Sequence, residues 1–324
     1  MNHTIISNSM DPAFNLAAEE YLLRQKKEDY AFFYINKPAV IIGKHQNALA
    51  EINLPYLEEQ NIPVFRRMSG GGTVYHDEGN LNFCFIRNGN NSDLVNFKRE
   101  TEPIVAALQR RGLPARNGER NDLLLNYKKI SGNACHVFKR RVMHHGTLLY
   151  RSDLNRLTGS LKSDPTRFED KAVKSVRSEV VNINELLQSK ETTPEFLHNL
   201  VEDLLRHNND WEKASFSTTD LEMIEQLKKE KYDNSEWNYR YGPAYTFKKR
   251  FQSGRLVLGV KLRVEKGRIT QAEIKGNHQP TEHLSILENK LKGCYHDKTS
   301  LFEILLKEEN ILPLPASELI NSFI

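Results

Sequence analysis

The sequence predicts an α+β protein in two parts, a mixed α/β unit over residues 1–242 and a smaller α+β accessory unit over 251–324. Segments of helical and of strand period interleave as far as Tyr150. Leu256, Leu258, Val260, Leu262 and Val264 then alternate strictly, Lys266-Gly267 supplies a turn, and residues 269–274 return. That pattern is a hairpin. Between the parts, Gly242-Pro243 breaks the chain just before the basic run Lys248-Lys249-Arg250.

Each element has its own signal. Asp11-Pro12 begins a helix, a capping carboxylate followed by proline at the first helical position. Phe14, Ala17, Ala18, Tyr21 and Leu22 continue it as an apolar stripe. Residues 32–35 and 40–42 read as strands, and Asn53-Leu54-Pro55 opens a second helix. Leu81, Phe83 and Phe85 alternate with Asn80, Asn82 and Cys84, the period of a half-buried strand. Its polar face suits either an edge strand or one wall of a polar pocket. Residues 123–125 and 147–150 read as short buried strands with polar residues at their ends, and Lys129 stands just before a Ser-Gly turn. Residues 153–211 read as mostly helical around a charged, mobile loop at 164–177. Helices from about Thr281, Thr299 and Pro315 are expected on one face of the hairpin. There is no internal repeat or low-complexity tract.

Composition bounds the function. Of 324 residues, 27% are charged and 39% hydrophobic, which fits a soluble globular chain without a disorder signature. No apolar run approaches a membrane span, and the first residues lack an export signal, so a cytoplasmic protein without membrane partners is expected. Three cysteines without metal spacing agree with a reducing compartment. A net charge of +4 suits an acidic protein partner and is too diffuse to require nucleic acid.

The most informative stretch is Arg66-Arg67-Met68-Ser69-Gly70-Gly71-Gly72-Thr73-Val74-Tyr75-His76-Asp77. Three glycines permit φ > 0 and close approach to the main chain. Guanidinium groups suit carboxylate and phosphate oxygens, so the stretch reads as an anion cradle. It is not a P-loop, because no Lys-Ser/Thr pair follows, and Tyr75 stands where a dinucleotide fingerprint needs glycine. Further along come Arg120-Asn121-Asp122, Lys128-Lys129-Ile130-Ser131-Gly132-Asn133-Ala134 and His144-His145-Gly146-Thr147-Leu148-Leu149. A lysine at a strand end is more often solvated than catalytic. His76, His144 and His145 lack zinc-motif spacing, so His144-His145 reads as a hydrogen-bonding pair.

Taken together and in this order, these motifs resemble the lipoate–protein ligase A family. Lys174-Ser175-Val176-Arg177-Ser178 is similar to its adenylate-binding loop, and Glu236-Trp237-Asn238 with 247–251 to the junction with its accessory domain. The resemblance runs from Asp11 to past Cys294; Met68 and Thr73 depart mildly from the usual pattern. It implies a catalytic domain of the biotin/lipoate ligase type. Lipoate would attack the α-phosphate of ATP to give lipoyl-adenylate and pyrophosphate, and a carrier lysine would then take the acyl group.

Carried over by position, the resemblance makes Lys129 the catalytic residue. Arg67, Gly72, Thr73, Val74, Tyr75 and Lys129 would bind the nucleotide; Arg66, Ser69, Gly70, Gly71, Gly72 and Lys129 would border lipoate. His76, Asn80, Asp122, His145, Lys174 and Arg177 match weaker positions. No fixed protein metal site is expected; Asp122 is the candidate for steering Mg²⁺ brought in with ATP. The implied partners are apo lipoyl domains of 2-oxo-acid dehydrogenase complexes and the glycine-cleavage carrier protein, with the ligase itself a monomer. Two alternatives stand beside this reading: an acyltransferase moving a preformed lipoyl or octanoyl group, and a non-catalytic sensor of lipoate or its adenylate.

Overall fold

The computed structural model describes residues 2–89, 95–161, 163–187, 189–277, 279–308 and 311–324. The chain divides into two compact units that interleave in sequence. The first comprises 1–44, 52–162 and 174–234, the second 45–51, 163–173 and 235–324. Among the described residues, ten strands precede residue 150: β1 (Asn2–Ile6), β2 (Asp29–Ile35), β3 (Ala39–Ile42), β4 (Val64–Arg66), β5 (Val74–His76), β6 (Asn80–Asn88), β7 (Ala115–Asn117), β8 (Asp122–Leu125), β9 (Lys128–Phe138) and β10 (Arg141–Leu149). After them come β11 (Phe168–Asp170), β12 (Trp211–Lys213), β13 (Tyr245–Ser253), β14 (Leu256–Glu265) and β15 (Arg268–Gly276).

In the first unit, eight strands form one sheet in the order β12-β1-β2-β6-β10-β9-β8-β7, and a small sheet runs β4-β3-β5. Strand β6 lies between β2 and β10, with Asn82 paired to Tyr34 and Thr147. The edge-strand reading of this segment is therefore wrong. One face of the large sheet bears Ala31, Phe33, Ile35, Leu81, Phe83 and Phe85 and carries the main core under helices Phe97–Arg110 and Thr193–Arg206. The other face bears Tyr34, Asn82, Cys84, His145 and Thr147, all buried. Alternation reports which residues share a face; here the polar one is also covered.

Helix Pro12–Gln25 covers that polar face. Asp11 accepts the amide of Ala13 and Pro12 stands in the first turn, as expected. The amphipathic stripe does not hold, because every residue from 15 to 23 is buried, Glu19 and Glu20 included, while Phe14 is only half-buried. A helix covered on all sides must give its carboxylates partners inside the protein. Glu20 accepts from Arg24, Lys231 and Tyr232.

Three local expectations change. Ser131-Gly132 is not a turn; both lie inside β9, and the chain reverses at Asn126-Tyr127, whose φ values are 46° and 68°. His144 and His145 lie within β10 rather than at its end, and as neighbours in a strand they face opposite ways. Among the described residues of 153–211, α-helix is confined to Leu154–Leu161 and Thr193–Arg206, with two short 3-10 turns between them.

In the second unit β11-β13-β14-β15 form an antiparallel sheet. Lys266 (φ 49°) and Gly267 (φ 72°) make the two-residue hairpin turn between Glu265 and Arg268. Phe247, Leu258, Leu262 and Val264 pack under helices Thr281–Leu291 and Lys298–Lys307 through Leu287, Leu291, Leu301 and Leu305. Phe168 and Ala50 join this core from earlier in the chain.

Candidate active site

The glycine loop joins β4 to β5 and crosses the end of β3. Arg67 N–H donates to the Ile42 carbonyl (3.0 Å) and Lys44 N–H to that of Ser69 (2.8 Å). Of the three glycines only Gly71 uses the left-handed region, at φ +86°. Gly72 serves close approach instead: a Cβ there would stand 3.1 Å from Ser175 Oγ. Gly43, unmarked in the sequence reading, is needed too, because its Cβ would fall 2.1 Å from the Gly71 carbonyl oxygen.

The two arginines do not face outward as an anion fork. Arg66 is fully buried, and its Nη1 donates to the carbonyls of Gly43 (3.0 Å) and Lys44 (3.1 Å). Arg67 donates through Nε to Ser69 Oγ (3.0 Å), through Nη1 to Ile41 (3.1 Å), and through Nη2 to the carbonyls of Gly70 (2.6 Å) and Gly72 (2.7 Å). Burial lowers its pKa to about 10, and the Glu19 charge opposes that shift. A side chain with five N–H donors is a natural partner for carbonyls packed into a tight turn. In a planar trans peptide, a carbonyl aimed at Arg67 aims the next N–H away from it. The amides of Gly71 and Thr73 are turned in this way, and Thr73 N–H donates to Ser175 Oγ at 2.9 Å.

Beneath the loop lies a buried relay. Ser69 Oγ is 2.6 Å from His145 Nε2, and His145 Nδ1 is 2.8 Å from Glu19 Oε2. An arginine only donates and an ionised carboxylate only accepts. With a neutral His145 ring the protons run from Arg67 to Ser69, from Ser69 to His145 Nε2, and from His145 Nδ1–H to Glu19. Tyr34 also donates to Glu19 (3.1 Å). A second chain fixes His76: Asn15 donates to Asn36 Oδ1 (2.8 Å), leaving the Asn36 amide to donate to His76 Nδ1 (3.0 Å). Burial, with Arg67 and His145 nearby, pushes the His76 pKa down to about 3, so it is neutral with its proton on Nε2. Glu19 and Asn36 were missed at the sequence level. The usable signal for Glu19 was a carboxylate pair inside an apolar helical run.

Lys129 stands near the start of β9. Its N–H donates to the Glu179 carbonyl (2.9 Å) and its carbonyl accepts from Val181 N–H (3.1 Å). The side chain lies over Gly132, with Nζ 3.4 Å from where a Cβ would stand. It is half-buried, and Nζ has no hydrogen-bond or ion-pair partner among the described residues. Burial lowers its pKa; Asp122 opposes that shift and Arg120 adds to it. The glycine loop rests on the same strand, since a Cβ at Gly71 would lie 3.6 Å from that of Ala134. The 175–181 segment thus runs from the Thr73 amide to the backbone of Lys129.

The remaining candidates separate. Asn80 is buried and donates to Asn82 (3.0 Å). Val74 is half-buried and Tyr75 buried in β5. Asp122 folds its carboxylate over the 118–122 turn, accepting from Arg120 N–H at 3.4 Å. His144, on the opposite face from His145, packs edge-on against Phe97 at 5.3 Å between ring centroids, so the two do not form a hydrogen-bonding pair. Lys174 is exposed, and Arg177 donates to the Leu161 carbonyl (2.9 Å). Among the described residues no group of three or more His, Cys, Asp or Glu is placed to hold a metal ion, and no helix is long and apolar enough to cross a membrane.

Residues 11–205 match the family described as "Lipoyl protein ligase A/B catalytic domain", and 243–322 match "Bacterial lipoate protein ligase C-terminus". The chain is 40% identical over 301 residues to lipoate–protein ligase 1 of Staphylococcus aureus, covering 92% of each. It resembles a putative lipoate protein ligase of T. acidophilum with bound lipoic acid (TM-score 0.64, 26% identity, 74% of this chain and 99% of that one). A lipoate-protein ligase A bound with ATP is similarly close (TM-score 0.63, 26% identity, 74% and 99%). So is a structure from an archaeal lipoylation system of Thermoplasma acidophilum, a bi-partite lipoate protein ligase and its E2 lipoyl domain (0.64, 26%, 74% and 96%).

Proposed function

The chain belongs to the lipoate–protein ligase family, and from that premise we propose how its own residues carry out the reaction. Free lipoate is activated with ATP to lipoyl-adenylate, pyrophosphate leaves, and the lipoyl group passes to a lysine of a lipoyl carrier domain. One observation supports the assignment of the chemistry above the others. Lys129 offers a half-buried ammonium with no described partner, on the strand that carries both the glycine loop and the 179–181 backbone.

In adenylate formation a lipoate carboxylate oxygen attacks the α-phosphorus and the bond to pyrophosphate breaks. Negative charge builds on the phosphoryl oxygens, and a compact ammonium reaches both them and the acyl oxygen. In transfer the carrier amine attacks the acyl carbon and AMP leaves, with Lys129 again beside the developing oxyanion. The loop from Gly72 to Tyr75 receives the nucleotide, with the Thr73 amide turned away from the Arg67 brace. Ser69, Gly70 and Gly71, backed by Arg66, border the lipoate chain. Ser175 now sits on the Thr73 amide and yields that donor to the nucleotide. Asp122, the carboxylate that acts on Lys129, fits a Mg²⁺ ion carried on the phosphates, which takes few protein ligands. When bound, that ion would offset phosphate charge.

We assign lipoate and ATP binding to the 1–242 portion and an accessory role to 251–324. The acceptors are apo lipoyl domains of 2-oxo-acid dehydrogenase complexes and the glycine-cleavage carrier, and the ligase acts as a cytoplasmic monomer. Incubation with ATP, lipoate and an apo lipoyl domain, followed by weighing the domain, tests the activity. A mass gain of one lipoyl group that requires ATP is expected; a gain from preformed lipoyl groups alone would make the protein a transferase.

The pH profile tests the lysine. The protonated form does the work, and burial holds its pKa below the ordinary lysine value of 10.5. As pH rises, the ammonium is lost earlier than on a free lysine, so adenylate formation should fall along an alkaline limb below pH 10.5. Lys129→Arg, which does not deprotonate in that range, should remove the limb from whatever activity it retains. An unchanged limb in that variant assigns the titration to another group.

A further inference from the structure

The solvent face of the second unit's sheet carries charges that folding stability does not explain. Lys248 on β13 lies directly opposite Lys261 on β14; Arg250 lies opposite Gly259, which is paired in turn with Lys275 on β15. All four cations are exposed. Like charges directly opposite on paired strands are destabilising. Glu169 (2.5 Å from Lys248) and Glu273 (2.8 Å from Lys275, and 3.8 Å from Lys261, which it faces across the β14–β15 pair) offset part of this, leaving four cations against two carboxylates. Gly259 adds to the anomaly. Its φ is not in the left-handed region, and an added Cβ would meet nothing nearer than 3.9 Å, so neither conformation nor close approach requires glycine. Glycine weakens a strand interior. The arrangement forms a shallow depression of about 350 Å³, floored by Gly259 and rimmed by Lys248, Lys249, Arg250, Lys261 and Lys275 with the single carboxylate of Glu273.

We propose that this depression docks an acidic protein surface, the carboxylate-bearing face of the carrier domain that receives the lipoyl group. The proposal rests on the ligase reading above. Separate carboxylates fit between separate cations, whereas a continuous phosphate backbone would meet Glu169 and Glu273 as well. The outward positions of β13 to β15 carry no aromatic side chain on which a base could stack. They also present no large apolar side chain to enter a membrane.

Gly259→Glu and Lys261→Glu place a carboxylate in and beside the depression, and Gly259→Ala adds a methyl group that has room. At low ionic strength the KM for an apo lipoyl domain should rise about tenfold in both Glu variants and stay unchanged in Gly259→Ala. Release of pyrophosphate from ATP and lipoate, with hydroxylamine trapping the adenylate in place of the carrier, should not change. The KM of the unaltered protein should climb with salt, over a screening length of about 8 Å at physiological ionic strength, and the Glu variants should respond less. A carrier KM and salt response unaffected by both Glu variants would overturn the proposal. So would variants that lose retention on anionic vesicles or RNA while the carrier KM stays fixed. No pyrophosphate release by the unaltered protein would instead strike the ligase reading, and the docking proposal with it.

Discussion

Lys129→Ala is expected to leave the fold intact and to slow lipoyl-adenylate formation by about 10²–10³, the scale for losing one preorganised donor at a developing oxyanion. The fold should survive because the side chain makes no described hydrogen bond or ion pair. The contacts that hold the 179–181 segment to β9 belong to the Lys129 backbone, which alanine keeps. Melting temperature, pyrophosphate release and transfer from supplied lipoyl-adenylate are the three measurements. The expected pattern is an unchanged first value, a collapsed second and a depressed third. Near-normal lipoylation of the carrier would take Lys129 out of the mechanism. A lowered melting temperature would instead make the residue a structural tie between β9 and the segment after Ser175.

What the sequence revealed of the fold depended on whether a local signal had a local cause. The Asp11-Pro12 helix start and the Lys266-Gly267 hairpin are decided within a few residues, and both stand as read. The Ser131-Gly132 turn was a local reading that tertiary pairing overrode. Gly132 and Asn133 extend β9, and Asn133 pairs with Gly146 of β10, while the reversal falls on Asn126-Tyr127. A tyrosine at φ 68° is not a residue that turn statistics would nominate. The polar face of β6 was likewise ambiguous. Alternation reveals that Asn80, Asn82 and Cys84 share a side; it does not reveal that the side is covered by a helix with its own buried carboxylates.

The candidate site shows the same division. Residue types at the glycine loop were legible, and the direction of their side chains was not. Arginines beside glycines suggest a fork aimed at a ligand. Yet carbonyls in a buried turn also demand donors, and the folded chain meets that second need. Gly43 and Ser175 meet the loop directly, Glu19 reaches it through His145, and Asn36 holds His76 just beyond it. No spacing rule connects them to it.

The inward turn of Arg67 has a consequence large enough to measure. If the guanidinium shapes the loop, Arg67→Met must cost stability as well as activity. It would strip donors from the carbonyls of Ile41, Gly70 and Gly72 and from Ser69, and would leave Glu19 buried without the nearby positive charge. Removing one partner from a buried charged network is worth about 3–5 kcal/mol. At roughly 2–4 °C per kcal/mol for a domain of this size, the melting temperature should fall by about 10 °C. Arg67→Lys should recover little, because an ammonium has three donors on a point and cannot span acceptors arranged around a fork. Activation of lipoate should fail in both variants, since the released Gly70 and Gly72 carbonyls no longer hold the following amides outward. An arginine that only touched ligand would behave differently: its loss would weaken nucleotide binding while the apo melting temperature stayed put. A scan of the apo variants therefore separates a brace from a ligand contact, and an unchanged melting temperature would mean that Arg67 is not what shapes the loop.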